Sequence, residues 1–168
     1  MPQAAGWVGL LKQRLSENQL AFRVINASIS GDTTASGANR IARALNKTQP
    51  ALTIIQLGGN DGLRGLSLSE MKKNLDRMID IAKSHQSKVI LVGVNLPPNY
   101  GRKYTQDFFA TYQQLADKHH VALVPTLLEG FEEDPTFFQA DQIHPTIEAQ
   151  DDILDNVWPS IETALQLN

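Results

Sequence analysis

The sequence predicts an α/β sandwich built on a parallel sheet, and three observations carry that prediction. Hydrophobic spacing switches repeatedly between the helical period and short, continuous apolar runs. Such runs read as strands buried on both faces, as in a parallel sheet covered by helices. The length, 168 residues with 42% hydrophobic and 20% charged residues, is that of one ordinary globular domain, so residues 1–168 are expected to form a single domain.

Each element has its own signal. Trp7, Leu10, Leu11, Arg14 and Leu15 recur at three and four, predicting a helix from about Gly6 to Ser16. Residues 22–27 (FRVINA) are a short β-rich run, and Ile41, Ala44 and Leu45 mark a helix from about Ser36 to Lys47. Residues 51–57 (ALTIIQL) form a continuous apolar strand, ended by the turn-forming Gly58-Gly59-Asn60-Asp61-Gly62. Ser67 and Glu70 make a capping-box pattern, after which Leu68, Met71, Leu75, Met78, Ile79 and Ala82 line one helix face. Residues 88–94 (KVILVGV) are another buried strand, followed by a loop with Pro97, Pro98 and Asn99. A helix follows with Phe108, Tyr112, Leu115 and Ala116 on one side, then a fourth strand at 121–124. Residues 129–143 read as irregular, and a last helix spans 147–165 through Leu154, Val157, Trp158 and Ile161. The first helix stands without a strand of its own, since nothing in the five residues before Gly6 can supply one.

Composition removes several function classes. Fifteen basic against 18 acidic residues give a net charge of −3 with no run of Lys or Arg, so neither nucleic acid nor an anionic membrane surface is expected as a partner. The absence of cysteine eliminates disulfides, thiolate metal sites and a Cys nucleophile. No stretch approaches the ~20 apolar residues of a membrane span, so stable membrane insertion is not expected. The apolar segment Ala4 to Leu11 is short and has no basic residue before it, unlike a signal peptide, so the chain as written reads as cytoplasmic. Neither G-x-G-x-x-G nor G-x-x-x-x-G-K-[ST] occurs, which weakens nucleotide binding. His85, His119 and His120 read as solvated surface residues, and no metal or organic cofactor is expected.

Chemistry in such folds collects where loops leave the carboxyl ends of the strands. Four such places stand out: residues 28–34, 58–65, 95–101 and the stretch holding Asp141 and His144. In Asp141-Gln142-Ile143-His144-Pro145, the proline biases His144 toward extended backbone. A carboxylate three residues upstream can then curl back to orient the imidazole, as in a nucleophile–base–acid relay. The same residues could equally form a turn leading into the last helix, with Asp141 capping backbone N–H groups. Asn60 reads either as turn chemistry or as a side-chain amide aimed at an oxyanion. Gly31, in Ser30-Gly31-Asp32-Thr33, would let a backbone N–H approach a ligand at a helix N-terminus, an anion included.

Taken in order, these segments resemble the SGNH hydrolases, the GDSL-type esterases and lipases, and within them the bacterial thioesterase I/lysophospholipase/arylesterase branch. Residues 26–33 (NASISGDT) look like the family's glycine block, and residues 57–65 (LGGNDGLRG) like its Asn block with the branch's G-L-R-G tail. Residues 96–104 (LPPNYGRKY) match the branch's next loop, and residues 141–145 (DQIHP) its terminal D-x-x-H-P. The resemblance runs from about Trp7 to the end of the sequence. It implies a flavodoxin-like three-layer α/β/α sandwich with strand order 2-1-3-4-5. It also implies hydrolysis of acyl esters or thioesters, with His144 as general base and Asp141 as its orienting acid. Gly31, through its backbone N–H, and Asn60, through its side-chain amide, would be two of three oxyanion donors. Residues 62–66, with Gly62, Leu63 and Leu66, would form a substrate-side loop, and Leu96 with Pro97 would flank the acyl chain. The partner implied is a small-molecule acyl ester or thioester, the protein a monomer, and the compartment of the branch periplasmic or secreted.

The family's nucleophile lies in a G-D-S-L block at the end of a first, central strand upstream of the first helix, and these residues contain no such block. The expectation is therefore an N-terminally truncated domain, with Met1 an internal methionine, that lacks the nucleophile and is inactive or nearly so on its own. Thr33, Ser30 and Ser28 are the residues that could substitute. Two other readings stand beside this one: a non-catalytic acyl- or ester-binding relative, and a flavodoxin-like binder of small anions.

Overall fold

Three of the four predicted apolar runs pair into one parallel sheet. The computed structural model describes residues 6–167; residues 1–5, where the sequence offers no strand, lie outside the described part. In chain order the elements are α1 (Trp7–Glu17), α2 (Thr34–Thr48), β1 (Leu52–Ile55), α3 (Gly59–Leu63), α4 (Leu68–Ser84), β2 (Lys88–Val92), α5 (Arg102–His119), β3 (Ala122–Val124) and α6 (Gln150–Leu165). Short 3-10 turns occupy Pro98–Tyr100 and Pro135–Phe137. The chain divides into two compact units, one of Ser28–Thr126 with Ser160–Asn168, the other of Met1–Ala27 with Leu127–Pro159.

The first of these units carries the sheet, in the order β1-β2-β3, with Ile54 opposite Ile90 and Ile90 opposite Ala122. Successive strand residues face opposite sides. Val89 and Leu91 join the core formed with Leu45, Met71, Leu75, Met78, Phe108 and Tyr112. Ile90 and Val92, which point the other way, are fully buried as well. Both faces of β2 are therefore covered, as its unbroken apolar run requires. Each such side chain contributes about 1.5–3 kcal/mol by leaving water. Helix α4 forms where the capping box places it: the Ser67 hydroxyl accepts the Glu70 N–H at 3.3 Å, and Met71, Leu75, Met78, Ile79 and Ala82 are buried.

Two expectations are corrected. Residues 22–27 form no strand, and Phe22 and Ile25 are 40% and 45% exposed. A β-rich run becomes a strand only when a neighbour takes its N–H and C=O groups, and the central strand that the order 2-1-3-4-5 would place beside it is formed by none of the described residues. With no such strand among the described residues, β1 stands at a sheet edge with β2 as its partner. The turn expected after β1 tightens into the five-residue helix α3 instead. Its N-cap Gly58 has φ +117°, and a β-carbon there would meet the Tyr112 hydroxyl at 2.2 Å. Only glycine fits both constraints.

In the second unit, the Trp7 N–H donates to Gln150 Oε1 at 3.0 Å. The Arg14 guanidinium pairs with Asp155 at 2.7 Å and lies 5.4 Å from the Trp158 ring centre. Asn156 Nδ2 donates to the carbonyls of Leu127 and Glu129, both at 3.0 Å, anchoring the start of the long irregular stretch. That stretch folds back on itself: the Gln139 N–H donates to the His144 carbonyl, and the Thr146 N–H to the Phe137 carbonyl, both at 2.8 Å. The last helix starts at Gln150 rather than 147, leaving Ile147 53% exposed ahead of it.

Candidate active site

Gly31 and Asn60 leave the chain at two loops of the sheet-bearing unit, and the fold ties those loops together. Gly31, at φ +77°, turns the backbone just ahead of α2; no acceptor among the described residues takes its N–H. Asn60 lies in α3, where its Nδ2 donates to the Asp32 carbonyl at 3.0 Å. An amide nitrogen carries two hydrogens, so one is spent on this anchor and a second remains for another acceptor. Asp32 is itself fixed by Arg40, whose Nε and Nη2 reach its carboxylate at 2.9 and 2.6 Å. The Ser36 hydroxyl, then Arg40, hold the Asp32 carboxyl below its ordinary range despite its burial. Arg64 crosses back from the end of α3 to the Gly31 carbonyl at 3.2 Å.

Asp141 and His144 belong to the other unit and are joined by purely local bonds. Asp141 Oδ1 accepts the N–H groups of Ile143 (2.9 Å) and His144 (3.0 Å), while Oδ2 meets His144 Nδ1 at 2.7 Å. Gln142, between them, adopts φ +54°, a left-handed conformation that costs a non-glycine residue about 1 kcal/mol or more. The His144 N–H, then its ring, then the Ile143 N–H hold the Asp141 carboxyl far below the usual carboxylate range. With Nδ1 on the carboxylate, Nε2 is the nitrogen that points elsewhere. The side chains are open to solvent, 70% for His144 and 46% for Asp141. The two readings of this turn coincide in the structure: Asp141 caps backbone N–H groups and orients the imidazole at once.

Of the residues expected around an acyl chain, Gly62 and Leu96 meet within the sheet-bearing unit. A β-carbon on Gly62 would lie 2.6 Å from Leu96 and 2.7 Å from Phe108, so glycine lets α3 settle directly on them. Leu63 and Leu96 are half-buried and Leu66 is 44% exposed. Pro97 accepts the Tyr100 N–H at 3.3 Å. Sequence reasoning missed what holds the 62–66 loop: the Tyr100 hydroxyl donates to the Leu63 carbonyl at 2.8 Å and the Tyr104 hydroxyl to Leu66 at 3.5 Å. Tyr100 ends the 3-10 turn and Tyr104 lies in the first turn of α5, so their spacing of four was the available signal.

Two further residues departed from expectation. His119 is buried, not solvated, with Nε2 2.6 Å from Asp76 and Nδ1 3.5 Å from Asp80. Asp76, Asp80 and His119 thus come within ligand distance of one another, but the Lys118 ammonium already sits on both Asp76 oxygens at 2.7 and 2.9 Å. The cluster is an ion-pair network between α4 and α5. Asp61, read as a turn residue, is 3% exposed and accepts two hydrogen bonds from Thr34.

Comparison with known proteins establishes the family. The profile of the GDSL-like lipase/acylhydrolase family matches residues 2–151. Esterase TesA of Pseudomonas aeruginosa is 46% identical over 160 residues, covering 95% of this chain and 80% of that protein. Thioesterase 1/protease 1/lysophospholipase L1 of Escherichia coli K12 is 37% identical over 155 residues, covering 92% of this chain and 73% of that protein. The crystal structure of TesA superposes with a TM-score of 0.94 at 44% identity, over 98% of this chain and 91% of that one. Sequence blocks, fold and relatives converge: the chain belongs to the GDSL-like lipase/acylhydrolase family and is, by that resemblance, an ester hydrolase.

Proposed function

We propose that these residues form one SGNH-type domain and carry the base, acid and two oxyanion donors of a Ser-His-Asp hydrolase of acyl esters and thioesters. The observation that carries this reading is the Asp141–His144 pair at 2.7 Å, with Asp141 ionised and also bonded to two backbone N–H groups. A carboxylate so fixed sets the imidazole tautomer, leaving Nε2 to take a proton from a serine hydroxyl and return it to the leaving group. As the hydroxyl oxygen bonds to the substrate carbonyl carbon, the carbonyl oxygen becomes an oxyanion. The Gly31 N–H and the second Asn60 N–H are the groups assigned to it. Collapse expels the alcohol or thiol, and water then releases the acyl group by the same steps. Leu63, Leu66, Leu96 and Pro97 offer apolar surface to the acyl chain.

None of the serines here stands in the family's Gly-Asp-Ser setting, and Thr33 is committed elsewhere, as the N-cap of α2 accepting from Ser36. The 168-residue chain is therefore assigned little activity of its own. The test sets it beside the same chain with the family's strand and Gly-Asp-Ser turn joined ahead of residue 1. Both are assayed on short-chain aryl esters and acyl thioesters and treated with a serine-reactive phosphonate. Hydrolysis and labelling confined to the extended chain are expected. Full activity in the 168-residue chain would show that Thr33, Ser30 or Ser28 serves as nucleophile. An extended chain that folds yet neither hydrolyses nor labels would favour an acyl-binding relative.

A further inference from the structure

We infer that Asp61 is a positioning residue for the oxyanion donors: its buried carboxylate locks the loop of Gly31 to the helix of Asn60. This inference rests on the reading of Gly31 and Asn60 as oxyanion donors.

The carboxylate of Asp61 is removed from water, where an ion persists only if its lone pairs are well matched. Both oxygens are spent on Thr34, the first residue of α2: Oδ2 accepts its N–H at 2.9 Å and Oδ1 its hydroxyl at 2.5 Å. Thr34 is fully buried, and Asn74 of α4 donates to its hydroxyl oxygen at 3.2 Å. The bond to the N–H also satisfies one of the unpaired donors at the N-terminus of α2, where a negative charge is favoured. Burial and the Asp61 charge together hold the Tyr112 hydroxyl far above its usual range, so the nearby phenol stays a neutral donor to the Leu57 carbonyl, at 2.9 Å.

The geometry gives this pairing its consequence. Thr34 lies three residues after Gly31, and Asp61 is the next residue after Asn60. Two other ties join the same loops, Asn60 to the Asp32 carbonyl and Arg64 to the Gly31 carbonyl. The first uses the catalytic amide itself and the second is exposed, so neither can hold the spacing unaided. The bidentate contact in the interior is the one that can. Two donors that must meet one oxyanion tolerate little error: a misplacement of about 1 Å costs on the order of 10²-fold in rate.

The test compares Asp61→Asn, Thr34→Val, Thr34→Ser and Asn60→Ala. In ¹H–¹⁵N spectra of the 168-residue chain, Asp61→Asn and Thr34→Val are expected to shift the Asn60 side-chain amide and the Gly31 N–H. Thr34→Ser, which keeps the hydroxyl, should restore both. In the extended, ester-hydrolysing chain, Asp61→Asn is expected to lower kcat on the order of 10²-fold with KM nearly unchanged. A merely loosened fold would not produce that split. If Asp61→Asn does not fold, the Thr34 pair decides. Unmoved Asn60 and Gly31 signals would overturn the inference, as would an undiminished kcat in Asp61→Asn while Asn60→Ala still loses rate. If Asn60→Ala loses no rate either, the oxyanion reading has failed, and the inference with it.

Discussion

The two halves of the candidate machinery are held in opposite ways. Gly31 and Asn60 are fixed by contacts that leap 27, 28 and 33 residues along the chain, the Asp61–Thr34 pair among them being buried. Asp141 and His144 are fixed by bonds spanning two and three residues, on side chains open to solvent. The proposed donors therefore inherit their geometry from the folded core, and the proposed base inherits its geometry from one turn of backbone. Damage to the first half should register as lost stability together with lost rate. Damage to the second should register as lost rate alone.

The largest separation is expected for His144→Ala in the extended, ester-hydrolysing chain. Losing the proposed general base should cut kcat on the order of 10⁴-fold or more. An exposed side chain whose neighbours keep their backbone bonds should leave Tm nearly unchanged. A fall in Tm comparable to that of a core substitution would show that the turn is not self-contained.

Asp61→Ala should do the reverse to the molecule, and it needs no activity to be read. It strands the Thr34 N–H and hydroxyl in the interior, at roughly 1–3 kcal/mol for each unsatisfied group. Denaturant unfolding of the 168-residue chain should therefore show a loss of about 3 kcal/mol. Gly58→Ala should cost somewhat less, about 2 kcal/mol, since it combines overpacking with a left-handed backbone. Its β-carbon would press on the Tyr112 hydroxyl, and that hydroxyl holds the Leu57 carbonyl at the end of the β1 segment. Unfolding midpoints equal to those of the unsubstituted chain would show these ties to be incidental.

What was legible in the sequence follows the same division. Helix α4 could be read in full because its signals are local: a capping box, then an apolar face at helical spacing. The Asp141–His144 turn was equally legible, since its partners are three residues apart and Pro145 restricts the backbone. Residues 22–27 could not be read correctly, because β-propensity describes a segment and a strand needs a neighbour. Asp61 was invisible for a related reason. Asn-Asp-Gly is ordinary turn composition, and nothing within five residues shows that this carboxylate will find a helix N-terminus 27 positions away. His119 misled because, beside His120 on a helix, it read by default as a solvated surface residue. Its burial depends on Asp76 and Asp80 of another helix. Local chemistry made the Asp141–His144 contact legible, and tertiary packing decided how Gly31 and Asn60 are held.

The smallest predicted effect probes how local the second half is. The Asp141 carboxyl is held far below the ordinary aspartate value near 3.9, first by the His144 N–H and only then by the ring. A folded value that is depressed means a stabilising contribution present above the unfolded value and lost as pH falls through the folded one. The Asp141 carboxyl's own contribution should thus be fully present above the unfolded value, and a ¹³C carboxyl titration should find Asp141 protonating well below an ordinary aspartate. Because the leading cause is a backbone N–H, His144→Ala should leave most of this depression in place. Its carboxyl should titrate slightly higher than in the unsubstituted chain and still below ordinary aspartate. A return to the ordinary value in His144→Ala would mean that the imidazole, and not the backbone turn, holds the carboxylate, and the base would then owe its orientation to a single side-chain pair.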